Sequence, residues 1–356
     1  MCRAVRKEPI AIRVDGSRSK GMGHIIRMLS VARELVSSGI RCFFITKPFE
    51  EGYCLIEKQG FPIYLIDKEL ESHENSFAVM KRILDSESCR LIIHDIQKTT
   101  YTYMNKLKRL GLFTINFDDT GSGAPLADIL IDPFVSEDKT TPEIRRFFGP
   151  RYLILRDQFT MRSSRKVSSD VRKVCVMPGG TDAGRMMEKV VSWICELPDH
   201  YDIYVMAGMS MESSSSALYS DHNNSIFMIR DWDSTPDILR QCDLSITSGG
   251  VSMCESCALG VPTLAVAQVE HEISNIEQFS SKQAVLSLGK AQDLRRDVFR
   301  DVFVRLEKAA RFRQVLSECG RKTVDGLGKK RVVRIIKNFY REIRSSQDML
   351  LKVAVN

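Results

Sequence analysis

The sequence predicts an α/β protein made of two doubly wound domains facing across a cleft. Three observations lead there. Short apolar runs alternate with segments of helical periodicity along most of the chain, the pattern of right-handed crossovers and parallel sheets. The alternation breaks after Leu155 and restarts at Val174, across a stretch rich in Ser, Arg and Lys that lacks apolar periodicity. The length, 356 residues, suits two domains of ordinary size.

The elements follow in order. Ile10, Ala11, Ile12, Arg13 and Val14 form a first strand, ended by Asp15-Gly16-Ser17. From His24 the pattern turns helical, with Ile25, Leu29, Ala32 and Val36 on one face and Gly39 closing the helix. Further strands are expected over residues 41–45, 62–66, 91–93, 112–117 and 129–131, with helical segments between most of them. The second half repeats the scheme, with strands over 174–177, 202–206, 226–229, 244–247 and 263–267. The expected division is an N-terminal domain of residues 1–157, a linker over 158–170, a C-terminal domain over 171–328 and a basic amphipathic helix and tail over 329–356. Residues 211–216, with four consecutive serines, read as a mobile surface loop.

Composition narrows the class. Hydrophobic residues at 43% and charged residues at 27% are globular values. The first eight residues lack the apolar core of a secretory signal, and no apolar run approaches the ~18–20 residues of a spanning helix. The ten cysteines are scattered; they read as reduced, mostly buried residues of a cytoplasmic protein. The net charge of +7 concentrates near the C-terminus, in Lys329, Lys330, Arg331, Arg334, Lys337, Arg341 and Arg344, interleaved with Val332, Val333, Ile335, Ile336, Phe339 and Tyr340. That is an amphipathic helix with a basic face. A solvated face packed on a domain is the plain reading, weak peripheral contact with anionic membrane the other. Nucleic acid is not expected as a partner, since no aromatic-rich basic motif accompanies the helix.

Three glycine turns fall at strand ends, where open α/β sheets bind ligands. Gly21-Met22-Gly23-His24 lies between a strand and a helix but lacks the third glycine of a full dinucleotide fingerprint, so a tight turn without ligand stands beside the binding reading. Gly179-Gly180-Thr181-Asp182 is the second. The third, Ser248-Gly249-Gly250-Val251-Ser252, opens a helix whose amides and dipole suit a diphosphate. Glu255, about one and a half turns on, suits the hydroxyls of a ribose; its alternative is an acidic residue that merely favours the helix dipole. No Walker lysine follows any of the turns, which disfavours a P-loop ATPase.

Taken in order, Arg13-Val14-Asp15-Gly16-Ser17, Gly21-x-Gly23-His24-x-x-Arg27, Asn116-Phe117-Asp118-Asp119, residues 152–156, Gly179-Gly180-Thr181-Asp182 and the helix from Gly250 to Glu255 resemble the UDP-sugar hydrolases of pseudaminic acid biosynthesis. They also resemble the relatives of those enzymes in spore-coat polysaccharide synthesis. The C-terminal half is more distantly similar to the UDP-GlcNAc transferase of peptidoglycan synthesis. The resemblance covers about residues 10–289. It implies a GT-B fold of two Rossmann-like domains, a UDP-sugar substrate and no metal or other cofactor. By that resemblance the nucleotide set is Gly180, Ile229 beside uracil, Gly250, Val251 and Ser252 beside the diphosphate, and Glu255 on the ribose. His24 falls on the family's catalytic histidine. The substrate set is Asp15, Gly21, Gly23, Arg27, Asp118, Asp119, His271 and Glu272, with a plain solvated turn as the alternative for Asp118-Asp119 and a polar loop as that for His271 and Glu272. Two positions depart from the family. Its Asp-His-Tyr after the 91–93 strand reads His94-Asp95-Ile96 here, and its Glu-Asn-Gln reads Glu270-His271-Glu272.

Cleavage at an anomeric carbon with a nucleotide leaving needs a base and stabilisation of the departing diphosphate. Imidazole suits the first; amides at a helix start suit the second. The expectation is that His24 deprotonates water, with inversion at C1, and that Asp15 orients the substrate or the histidine. Cys254-x-x-Cys257 has no second cysteine pair, so core packing is expected there rather than zinc. The leading function is a UDP-sugar hydrolase. A GT-B glycosyltransferase with a UDP-sugar donor is the alternative, and a nucleotide-sugar-binding protein without turnover is the second.

Overall fold

Strands β-rich in Ile, Val and Phe, buried on both faces, dictate a parallel sheet covered by helices. The computed structural model describes residues 8–17, 22–67, 74–135, 145–160, 165–179, 182, 184–207 and 224–355. Residues 211–216, Gly21 and Gly180 lie outside this set. The chain divides into two compact units, residues 1–154 with 327–356, and residues 155–326.

In the first unit the elements are β1 (Ile10–Val14), α1 (Gly23–Ser37), β2 (Cys42–Thr46), α2 (Glu50–Lys58), β3 (Ile63–Leu65), α3 (Glu74–Ser86), β4 (Leu91–Asp95), α4 (Tyr101–Arg109), β5 (Phe113–Phe117), β6 (Ile129–Asp132) and β7 (Arg145–Phe148). The strands form a seven-stranded sheet in the order β3-β2-β1-β4-β5-β6-β7, with every pair parallel. Strand order reverses between β1 and β4, the switch point beyond which ligands bind in such sheets. On one face, Ile10, Ile12, Ile93 and Ile115 pack with Ile25, Met28, Leu29, Ala32 and Leu35 of α1. Val36, expected on that face, is 47% exposed; the buried stripe at the end of α1 runs through Leu35 instead.

In the second unit come β8 (Lys173–Met177), α5 (Met186–Cys195), β9 (Asp202–Met206), β10 (Ser225–Ile229), α6 (Thr235–Gln241), β11 (Leu244–Ser248), α7 (Val251–Leu259), β12 (Thr263–Ala267), α8 (Glu270–Ser281), β13 (Leu286–Lys290), α9 (Arg296–Lys308) and α10 (Ala310–Thr323). Its sheet, β10-β9-β8-β11-β12-β13, is again wholly parallel and reverses between β8 and β11. The chain then returns to the first unit as α11 (Gly328–Val355).

Boundaries differ from the sequence reading at two places. The described residues of the 158–170 stretch, 158–160 and 165–170, belong to the second unit. Phe159 is buried, and the Arg165 guanidinium donates to the carbonyls of Leu239, Arg240 and Cys242, which ties the stretch to the second unit. Helix α11 is not a separate tail: Val332, Val333, Ile336, Phe339 and Tyr340 belong to the first unit's core. Strands β7 and β13 were not expected. Both are edge strands, and their sequences, Arg-Arg-Phe-Phe and Leu-Ser-Leu-Gly-Lys, show no continuous apolar run because only one face is covered.

Candidate functional site

At the switch point of the first unit, α1 is the element that follows β1 in the chain, and β4 ends at Asp95. His24 is the second residue of α1, and Arg27 lies one turn on, so both side chains share a face. They converge on Asp95. His24 Nδ1 lies 2.6 Å from Asp95 Oδ1. Arg27 donates Nε to Asp95 Oδ2 at 2.6 Å and Nη2 to Oδ1 at 2.5 Å. Its remaining nitrogen, Nη1, pairs with Asp118 Oδ2 at 2.5 Å, and the guanidinium sits 5.9 Å from the Phe117 ring centroid. The Asp95 side chain is fully buried, whereas His24 keeps 16% of its side chain exposed.

The electrostatics follow from this packing. Burial opposes ionisation of Asp95, but Arg27 and then His24 win, holding its carboxyl down at about 2. Arg27 is held charged: burial works against it, and Asp118 and Asp95 more than offset that. Asp118 goes the other way. Burial raises its pKa and the neighbouring Asp95 charge adds to the rise, against Arg27. Its backbone is left-handed, φ 46°, a conformation costly for a side-chain-bearing residue and characteristic of functional turns. Its Oδ1 is buried and, among the described residues, has no hydrogen-bond partner. Asp132 is pushed up to about 6 by burial and by Asp118.

Three neighbours of this cluster are occupied elsewhere. Asp15 receives both terminal nitrogens of Arg13, at 2.5 and 2.8 Å, and the Lys47 amide at 3.0 Å. Burial disfavours its charge, yet Arg13 and Lys47 keep its pKa below the ordinary value. The carboxylate at His24 Nδ1 is that of Asp95. Asp119 accepts from the Thr99 amide and hydroxyl, the Asn116 amide and the Gly121 amide, at 2.5–3.0 Å. Its carboxylate is held by its own loop and by Asn116. His94 bonds Asn116 and Tyr103 at 3.0 and 2.8 Å; burial, then Arg13, lowers its pKa to about 3, so it stays neutral. Gly23 opens α1, and a Cβ there would meet nothing within 4 Å; packing does not demand the glycine.

In the second unit the corresponding switch point brings Gly179, after β8, beside Ser248, at the end of β11. Gly179 has φ +90°, and a Cβ on it would lie 2.9 Å from Ser248 Oγ. Gly249 is tighter still, because a Cβ would meet Glu272 Cβ and Ile276 Cγ1 at 2.8 Å. Gly250 is the N-cap of α7 and supplies no side-chain acceptor, so the orphan amides of the first turn, from Val251 and Ser252, suit an anion. Val251 is exposed and Ser252 buried. Glu255 is buried, and burial raises its pKa to about 7 against the pull of Arg156. Arg156 Nη2 reaches Glu255 Oε1 at 3.5 Å, while Nη1 donates to the Trp232 carbonyl at 2.9 Å. The Ile229 carbonyl accepts the Ala207 amide at 2.9 Å. Glu272 accepts the Gln268 amide at 2.8 Å through Oε2; its Oε1 stands 3.5 Å from where a Gly250 Cβ would be. His271 is exposed. Among the described residues, no group of three His, Cys, Asp or Glu is placed to hold a metal ion.

Two residues of these clusters were not in the sequence-derived set. Asp95 stands at a strand end, from which the sequence lets it reach the cleft, and that position was its signal. Arg156 stood in the 152–156 stretch with no assigned partner; only the fold brings it to Glu255.

Both switch points carry a helix start without a side-chain cap. No family profile matches the chain. The spore coat polysaccharide biosynthesis protein SpsG of Bacillus subtilis is 25% identical over 346 residues, 94% of this chain and 99% of its own length. MurG of Acinetobacter baumannii superposes with a TM-score of 0.64 at 17% identity, over 93% of this chain and 99% of that one. The spinosyn rhamnosyltransferase SpnG, complexed with thymidine diphosphate, gives 0.63 at 14% identity, over 92% and 100%. The fold is GT-B. Within it, His24 and Asp95 flank the first switch point, and the glycine turns flank the second. No helix among the described residues is long and apolar enough to cross a membrane.

Proposed function

We propose that the protein is a glycosyltransferase that moves a sugar from a nucleoside diphosphate donor, uridine by its sequence pattern, to a hydroxyl acceptor in surface-polysaccharide synthesis. The observation that carries this is the 2.6 Å contact between His24 and a buried, ionised Asp95 at the end of β4. A carboxylate accepting from Nδ1–H fixes the imidazole tautomer and leaves Nε2 as the proton acceptor. Arg27 keeps Asp95 ionised, so the proton shared with His24 stays on the ring. His24 Nε2 takes the hydroxyl proton as the acceptor oxygen bonds to C1. The bond from C1 to the diphosphate oxygen breaks, and its electron pair leaves with the nucleotide. In the second unit, the amides that begin α7 suit a diphosphate and Glu255 suits a ribose. Asp118 Oδ1, buried without a partner, is a ready acceptor for a substrate hydroxyl.

SpnG, a rhamnosyltransferase bound to a nucleoside diphosphate, and the spore-coat homologue support a transferase. The ordered motif set that resembles UDP-sugar hydrolases supports a second reading, in which water takes the acceptor's place at the same base. Nucleotide release from a panel of UDP- and dTDP-sugars, measured with and without acceptor alcohols, separates the two. Acceptor-dependent release, with a glycoside found by mass spectrometry, is expected. Release at the same rate in water alone assigns the hydrolase, and tight binding without release removes both.

A further inference from the structure

Helix α11 carries a row of charge with no role in the site above. Lys330, Arg334, Lys337, Arg341 and Arg344 follow one another at intervals of four, three, four and three residues. That spacing aligns them on one helical face over about 21 Å. The buried stripe of Val332, Val333, Ile336, Phe339 and Tyr340 fixes the helix against the first unit and so fixes where the row points. Between it and the last turn of α1 run two cavities of about 350 and about 240 Å³. Lys337 and Arg341 line both, so they form one groove. Arg344, Ser38 and Ser345 close one end; Lys330, Arg334 and Glu34 line the other. The walls are held in place: Lys337 Nζ donates to Ser38 Oγ at 2.9 Å, and Tyr340 hydroxyl to the Glu8 carbonyl at 2.7 Å.

Among the described residues, Glu34 is the one carboxylate lining the groove, and no ion pair joins any of the five cations. Like charges at this helical spacing repel one another, so the row is left for an external anion to neutralise. The groove is also remote from the candidate site. Ser38 follows His24 by fourteen residues along and just past α1, about 20 Å away at helical rise.

We propose that this groove docks the first unit on an anionic lipid bilayer, with phosphate headgroups seated against Arg341, Arg344 and Lys337. A soluble phosphate would engage part of the row; a surface of phosphates matches its whole length. Phe339 and Tyr340 of α11 are buried, which leaves no aromatic stacking platform on the helix for single-stranded nucleic acid. Attachment through the row is electrostatic and falls with salt.

Co-sedimentation of the full chain with phosphatidylcholine vesicles, with and without about a third phosphatidylglycerol, tests this. The expected result is binding to the anionic vesicles only, lost at 0.5 M NaCl and reduced at least tenfold in K330E/R334E/R341E. All three positions are exposed, and an unchanged melting temperature verifies the fold. R295E/R300E/R311E, the same charge change on the second unit, should bind like the parent chain. The proposal is overturned by no binding to anionic vesicles, by equal loss in both variants, by displacement with millimolar inorganic phosphate, or by stronger binding to RNA than to vesicles.

Discussion

Replacing Asp95 with Asn keeps the shape of the side chain and removes its charge. The consequence for stability can be worked from its surroundings. The carboxyl is held at about 2 rather than 3.8, a difference equivalent to roughly 2 kcal/mol of folding free energy at neutral pH. The sign is that of a depressed acid: the contribution is present above the ordinary carboxylate range and is lost as pH falls toward 2. Removing one partner of a buried pair commonly costs more, about 3–5 kcal/mol, because the other charge stays behind. Here Asp118 still faces Arg27 at 2.5 Å, which favours the lower figure. For a unit of this size, about 2 kcal/mol lowers the melting temperature by roughly 4–8 °C. Catalysis should suffer separately. The Asn amide can offer a donor to Nδ1, which favours the wrong tautomer, and loss of a positioned base costs ~10²–10⁴ in turnover. Scanning calorimetry and nucleotide-release kinetics read the two effects. In D95N/H24A, turnover should fall little below that of H24A alone, since residues that act as a unit are not additive. A melting temperature within 1 °C of the parent and turnover within threefold would refute the reasoning.

Two further outcomes are expected. Gly249→Ala places a methyl 2.8 Å from Glu272 and Ile276; it should destabilise the second unit by about 1–3 kcal/mol, seen as a shifted urea midpoint with an unchanged slope. Glu255 is an acid whose pKa is raised to about 7, so the folded state holds its proton longer than the unfolded state. Stability of the ligand-free second unit should therefore decline as pH rises from about 4.5 to 7, and Glu255→Gln should flatten that decline while weakening nucleotide binding in calorimetric titration.

The sheets were legible because their interior strands are continuous apolar runs. Leu91-Ile92-Ile93 and Val174-Cys175-Val176 are buried on both faces, and burial of that kind writes itself into composition. The edge strands β7 and β13 are covered on one side and left no such trace. The return of α11 to the first unit was illegible for another reason: an amphipathic stripe says that a helix packs, not what it packs against. At the site, His24 and the Ser248-Gly249-Gly250 turn could be read locally, since a turn between strand and helix is a short-range feature. Asp95 could not. Its meeting with His24 spans 71 residues and depends on β1 and β4 being neighbours, a fact of strand order. The same gap explains Asp15 and Asp119, which look like free strand-end carboxylates in sequence and are taken up by Arg13 and by the Thr99 loop in the fold.

The most direct trial of the account is His24→Ala, assayed for sugar transfer alongside calorimetric titration of UDP. The imidazole is assigned the proton and nothing of the nucleotide, so turnover should fall at least a hundredfold while UDP affinity stays within threefold. Turnover retained to within tenfold, or UDP binding lost together with it, would contradict that assignment.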